Sequence, residues 1–189
     1  GGFAKPKDLR PLCDIELTDI RGTIDMNLYG SIYNAYYTIG YMLKTVQNSS
    51  DKNESCSIIN MSSIAGSFGL ATAGDYCISK SGVDGLTRAI CADYGASGIR
   101  CNSVKPCFVT TPLTTAMDDA LEEKTGQRGC REMSKPRQVH AEWVNPTDVA
   151  YYCLFLASDE SKFINGSMCY IDDGTKGSYN HLPSMVNDQ

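Results

Sequence analysis

The chain has 189 residues, a hydrophobic fraction of 42%, a charged fraction of 21% and a net charge of −5. That size and balance fit one globular domain. The acidic sign and the lack of any basic run exclude a nucleic-acid footprint, and no apolar stretch reaches the ~18 residues of a spanning helix, so no membrane segment is expected. Taken in chain order, "GGFAKPKDLRP" lacks both the basic segment and the apolar core of a signal peptide. It reads as the interior of a loop, and the chain is expected to begin inside a larger protein. Residues 17–46 carry apolar side chains at 20, 24, 28, 32, 35, 39, 42, 43 and 46, a helical spacing. Gly22, Gly30 and Gly40 inside it predict close packing or a bend, since each costs about 1 kcal/mol against alanine.

"QNSSDKNES" (47–55) is polar and predicts an exposed loop, and "CSIINMSS" (56–63) predicts a buried strand over 57–61. From Asp75 to about Ala96 the spacing is helical again, with Val83, Leu86, Ile90 and Tyr94 on one face and Tyr76 and Lys80 on a neighbouring stripe. "IRCNSVKP" (99–106) predicts a strand over 100–105 that Pro106 stops. Residues 107–145 read as irregular and polar, with room for short helices. "NPTDVAYYCLFLASD" (145–159) opens with Pro146 and Asp148, both helix-start signals. "SMCYIDDG" predicts a last strand over 168–172, and the residues after Gly174 form a polar tail over 175–189. Strands alternating with helices point to an α/β fold with a parallel sheet covered on both faces. The nine cysteines, at 13, 56, 77, 91, 101, 107, 130, 153 and 169, are odd in number and without C-x-x-C spacing, and His140 and His181 are the only histidines. No metal site is expected, and a reducing, cytoplasmic compartment is the simplest reading.

The stretch "INMSSIAGSFGLATAGDYCISK" (59–80) carries the chemistry. A free tyrosine, with a pKa of ~10, is a poor acid or base at neutral pH. A lysine ammonium one helical turn away favours the phenolate and lowers that value. A nearby serine hydroxyl can hold a carbonyl oxygen, or the alkoxide formed from it. Ser63, Tyr76 and Lys80 together can pass a proton to or from a substrate oxygen while hydride moves elsewhere, and the three donors of Lys80 also suit a ribose hydroxyl. Ser62, beside Ser63, reads as a packing or capping residue at the strand end.

Ser63 at a strand end followed by Tyr76-x-x-x-Lys80 resembles the short-chain dehydrogenase/reductase family. So do "DMNLYG" around Asn27, "RCNSVKPCFVTTPL" and the closing "DVAYYCLFLASDESKFINGSMCYIDDG". The resemblance runs from about residue 14 to 174. It implies a Rossmann-like, doubly wound parallel sheet in which residues 1–174 form the catalytic and substrate part. It gives Asn27, Ser63, Tyr76 and Lys80 the catalytic positions, with Asn27 holding a water that links Lys80 to solvent. It further implies that Tyr76, Lys80, Pro106, Cys107, Val109 and Thr111 meet NAD or NADP, with Thr111 and the backbone around Val109 at the nicotinamide carboxamide. Cys107 and Asp173 stand where the family usually or often has glycine. The family's T-G-x-x-x-G-x-G turn, its N-N-A-G motif and the residue that selects NAD or NADP have no counterpart here. Only the C-terminal half of the domain is therefore expected, with roughly 90 residues of strand-and-helix units upstream and no activity from residues 1–189 alone.

Three functions follow as expectations. The first is an NAD(P)-dependent oxidoreductase interconverting a secondary alcohol and a ketone of moderate, steroid-like size, working as a homodimer or homotetramer. Its closest rival within the family is a 3-oxoacyl-carrier-protein-type reductase. The second is a non-catalytic family member kept for binding or regulation, and the third a structural module that pairs through the helices at 17–46 and 75–96. Met117, Leu121, Met133, Val139 and Trp143 are candidates for an apolar pocket wall or for ordinary packing.

Overall fold

A computed structural model describes residues 10–51, 54–126 and 142–177. Three parallel strands form one sheet: β1 (Cys56–Met61), β2 (Ile99–Pro106) and β3 (Met168–Ile171), in the order β1-β2-β3. The register runs from Cys56 opposite Ile99 to Met61 opposite Val104, and from Ser103 opposite Met168 to Pro106 opposite Ile171. Parallel neighbours need a crossover, and helix α3 (Gly74–Tyr94) supplies it between β1 and β2. Every residue of β2 is buried, as the centre of a sheet covered on both faces requires. The α/β fold and all three expected strands are present.

Alternation along β2 divides its side chains between two cores. Ile99 and Cys101 pack with Ala35, Ile39 and Ile90 under α3 and helix α2 (Gly30–Asn48). Val104 packs with Val149, Leu156 and Cys169 under helix α5 (Pro146–Ala157) on the opposite face. Full burial of an aliphatic side chain such as Ile99 or Leu156 contributes about 1.5–3 kcal/mol. Arg100 donates to the carbonyls of Leu156 and Ser158 at 3.1 and 3.2 Å, closing the C-terminal end of α5. Asn102 donates to the Ile164 carbonyl and accepts from the Ser167 N–H, which ties β2 to the turn before β3.

The expected helix over 17–46 is interrupted. Helix α1 (Leu17–Ile24) passes into a π-helical turn, Asp25–Tyr29, before α2 begins. A π turn holds an extra residue and is frequent at functional sites. The glycines are not uniformly packed as expected: nothing stands within 4 Å of a side chain built at Gly40. Residues 107–145 also differ from the expectation, because helix α4 (Pro112–Thr125) is 14 residues long. Thr111 caps it: its Oγ1 accepts from the Thr114 N–H at 3.3 Å, its own N–H donates to Thr114 Oγ1 at 3.0 Å, and Pro112 opens the first turn. The start of α5 matches its signals, with the Asn145 N–H donating to Asp148 Oδ2 at 3.1 Å.

Candidate active site

The polar groups gather at the carboxyl ends of the strands, where open parallel sheets bind ligands. Directly after β1, the Ser62 N–H donates to the Val104 carbonyl at 2.8 Å, which keeps the chain beside β2 for one more residue. Ser63 then caps a 3-10 turn, Ile64–Gly66, its Oγ accepting from the Ala65 N–H at 3.2 Å. Ser62 is buried, and its Oγ donates to the Lys80 carbonyl at 3.2 Å. It binds the strand end to α3 and leaves Ser63 as the serine at the site.

Tyr76 and Lys80 lie on the first two turns of α3. The Tyr76 phenol is hydrogen-bonded to the Ser63 side chain. Lys80 Nζ stands 5.5 Å from the Tyr76 ring centroid and donates to the Met61 carbonyl at 2.9 Å, which leaves two of its three N–H donors. Three of the expected residues therefore meet, drawn from two elements that β1 and α3 hold face to face. Burial raises the Tyr76 phenol above its ordinary value, and the Ser63 hydrogen bond opposes that rise. The lowering expected from Lys80 is not seen: the hydrogen bond from Ser63 is what opposes the rise, and desolvation prevails. Burial also lowers the Lys80 ammonium to about 8, with the Asp84 carboxylate pulling the other way. At neutral pH the site holds a protonated phenol beside a charged lysine.

Asn27 occupies the π turn and is buried. Its Nδ2 donates to Ser79 Oγ at 3.0 Å, the Ser79 hydroxyl donates to the Tyr76 carbonyl at 2.8 Å, and the Asn27 carbonyl accepts from Ser31 Oγ at 2.8 Å. One turn earlier on both helices, buried Thr23 donates to Asp75 Oδ2 at 2.6 Å. These two rungs, which bracket Tyr76, hold α1 and the π turn parallel to α3. The Thr23–Asp75 rung was not expected from the sequence.

The second group of expected residues follows β2. Pro106 ends the strand, buried, and the Cys107 N–H donates to the Ile171 carbonyl at 3.0 Å. Cys107 is half-buried and does not have the positive φ that would demand the family's glycine, whereas Asp173 does, at +47°. Val109 bridges Val144, and Phe108 stacks on Trp143 with centroids 5.8 Å apart, so the two ends of the 107–145 segment are pinned together. Thr111 lies just beyond as the cap of α4. Met117 and Leu121 are half-buried on α4; Met133 and Val139 lie outside the described residues. Among the described residues the eight cysteines are all free thiols, and no helix is long and apolar enough to cross a membrane.

Reading by motif also missed a charged pair. Lys105 in β2 and Asp84 in α3 form a buried salt bridge, with side-chain exposures of 0% and 5%. A lysine inside a strand with both faces covered is the signal that could have marked it.

A family model described as enoyl-(acyl carrier protein) reductase matches residues 1–176. A cis-4-hydroxycyclohexanecarboxylate dehydrogenase from Sinomonas cyclohexanicum is 31% identical over 92% of this chain and 62% of its own length. A mitochondrial borneol dehydrogenase from Lavandula x intermedia is 34% identical over 86% of this chain and 55% of its own. Among solved structures, a gluconate 5-dehydrogenase from Burkholderia cenocepacia J2315, in complex with NADP and tartrate, superposes with a TM-score of 0.80 at 24% identity. It is covered over 63% of its length by 95% of this chain. The chain thus spans less than two thirds of the relatives it matches. The strand-end serine, the tyrosine and lysine one helical turn apart, the parallel sheet and a match running almost from end to end agree: the chain belongs to the short-chain dehydrogenase/reductase family.

Proposed function

We propose that, in the whole protein, this region carries the acid–base half of an NAD(P)-dependent interconversion of a secondary alcohol and a ketone. One observation carries the reading: the Ser63 hydroxyl, the Tyr76 phenol and the Lys80 ammonium converge at the carboxyl ends of the sheet. The donor set fits the nicotinamide-ribose end of the cofactor. Lys80 has two N–H groups to offer a ribose, and the Pro106–Thr111 turn lies at the same end of the sheet. When bound, the cofactor supplies or accepts the hydride. Ser63 holds the substrate oxygen. Tyr76, protonated at neutral pH, gives its proton to that oxygen in reduction and takes it back in oxidation. The Lys80 charge beside the ring stabilises the phenolate left behind. Asn27, through Ser79 and the Tyr76 carbonyl, keeps the tyrosine in register.

A ring alcohol or ring ketone is the favoured substrate, supported by the cyclic alcohols named for the two curated relatives. A carrier-bound acyl chain is the second reading, favoured by the description of the matching family model. We further infer a reducing, cytoplasmic setting from the free thiols. We also infer pairing with a second copy, as homodimer or homotetramer, across the exposed tyrosines 33, 36, 37 and 41 of α2. The test is kinetic. Tyr76→Phe in the whole protein should lower kcat for ketone reduction by at least ~10²-fold, and Lys80→Met should slow it and move the pH profile upward. A Tyr76→Phe enzyme with near-normal kcat removes the assignment.

A further inference from the structure

Burying Lys105 has no packing rationale. β2 is buried along its whole length, and an apolar residue there would avoid the desolvation cost, several kcal/mol per ion. The lysine is held by an arrangement that reaches the catalytic residues. Its Nζ binds Asp84 Oδ2, and the Ser103 hydroxyl donates to Asp84 Oδ1 at 3.1 Å. Asp84 follows Lys80 by one helical turn, so the two side chains are neighbours on α3. The turn that carries Ser63 rests on the same pair. A methyl group at Gly66 would stand 2.7 Å from Asp84 Oδ2, 3.0 Å from Lys105 Nζ and 3.0 Å from the Lys80 carbonyl. Ser81 Oγ donates to the Gly66 carbonyl at 3.2 Å, and Ser67 Oγ shares a 2.6 Å hydrogen bond with the Tyr170 hydroxyl. The Tyr170 ring lies 5.6 Å from Lys105 Nζ.

We propose that Asp84, clamped by Lys105 and Ser103, is a positioning residue of the reaction: it places a buried carboxylate one helical turn from Lys80, and it seats the Ser63 turn through Gly66. Its catalytic meaning rests on the alcohol–ketone reading; the placement of Asp84 between Lys105, Ser103 and the Gly66 turn does not. Lys80 faces Tyr76 and Asp84 on its own helix and the Met61 carbonyl on β1. Behind Asp84 stand Lys105 on β2, the Tyr170 ring on β3 and Lys176 over that ring, 3.9 Å from its centroid. On the third side Thr23 of α1 occupies Asp75. Asp84 is thus bonded to Lys105 and stands one helical turn from Lys80. Its influence on Lys80 is upward, against the burial that lowers the ammonium to about 8. Lys105 holds Asp84 between α3 and the serine loop.

The experiment titrates the lysine itself. The whole protein is labelled with 13C/15N-lysine, the Lys80 Nζ resonance is assigned by its loss in K80M, and its midpoint is followed against pH in K105M and D84N/K105M. Compared with K105M, D84N/K105M should lower the Lys80 midpoint by about one pH unit, the low end of the scale for removing a nearby opposite charge. K105M, which leaves Asp84 facing Lys80, should not lower it. In the same preparations the acid limb of kcat/KM for alcohol oxidation should move to higher pH in D84N/K105M, because a neutral Lys80 no longer favours the phenolate. A change in melting temperature alone would not produce that movement. A Lys80 midpoint that is the same in K105M and D84N/K105M overturns the proposal. Should that variant fail to fold by circular dichroism, D84L/K105M, apolar at both positions, replaces it. Failure of the alcohol–ketone reading would show differently, as no dehydrogenase activity in the unsubstituted protein whatever the Lys80 midpoint does.

Discussion

The two ends of the β2–α3 layer are built from opposite materials. At the amino end of β2, Ile99 and Cys101 meet Ile90 of α3 and Ala35 and Ile39 of α2 in a cluster with no charged member. Four residues further along the same face stand Ser103 and Lys105, opposite Asp84, and beyond them Lys80, Ser79 and Asp75 line the first half of α3. Both ends are buried, so both are excluded from water. One end gains from that exclusion, while the other bears its cost and must satisfy every polar atom with a partner. The apolar end holds the layer together, and the polar end uses the rigidity thus obtained to fix the distances on which proton transfer depends.

The contrast can be broken at the apolar end first. Ile99→Ala should cost about 2–5 kcal/mol of stability, the range for an aliphatic truncation in a packed core. The drop will be visible in denaturant unfolding, while kcat per folded molecule stays near its starting value. A fall in kcat without loss of stability would mean that the two ends are not separable. At the polar end, Thr23→Val keeps the shape and removes the hydroxyl that donates to Asp75. It should cost about 1–3 kcal/mol, the penalty for leaving a buried acceptor short of a partner. Because Asp75 precedes Tyr76, kcat should fall with it while the KM for cofactor holds. An unchanged kcat would reduce this rung to a structural one. The smallest effect is a gain. Asp173 adopts φ +47°, and Asp173→Gly should raise stability by about 1 kcal/mol by removing the left-handed penalty of a side chain, with no change in kcat.

The apolar end was the more legible of the two in the sequence. Ile58, Ile59, Ile99 and Cys101 sit in short runs bounded by polar loops, and Val83, Leu86 and Ile90 repeat at helical spacing, so local pattern suffices for β1, β2 and α3. Tyr76 and Lys80 were also legible, because four residues on one helix make a contact visible in one dimension. Lys105 and Asp84 are 21 residues apart on different elements, and no periodicity connects them. Their pairing exists only after the crossover is folded. Thr23 and Asp75 escaped for the same reason, at a separation of 52. The π turn had a faint signal in the strict four-residue spacing of Ile20, Ile24, Leu28 and Ile32. That is wider than an α-helix keeps in line, yet close enough to 3.6 to pass for an ordinary helix.

That turn has a consequence for how the protein tolerates change in length. An α-helix advances 100° per residue, about 3.6 residues to a turn, so the surplus residue in Asp25–Tyr29 sets the angular phase between α1 and α2. It lets Thr23 and Asn27 point at α3 while Ala35 and Ile39, on the same continuous rod, point at the sheet. Deleting one residue there would regularise the backbone and improve its hydrogen bonding. It would also swing everything on the N-terminal side through more than a quarter of a circle and take both side chains off α3. The irregularity works as a phase shifter, and the length of the segment 25–29 is constrained even where the identity of its exposed residues, such as Met26 and Tyr29, is not.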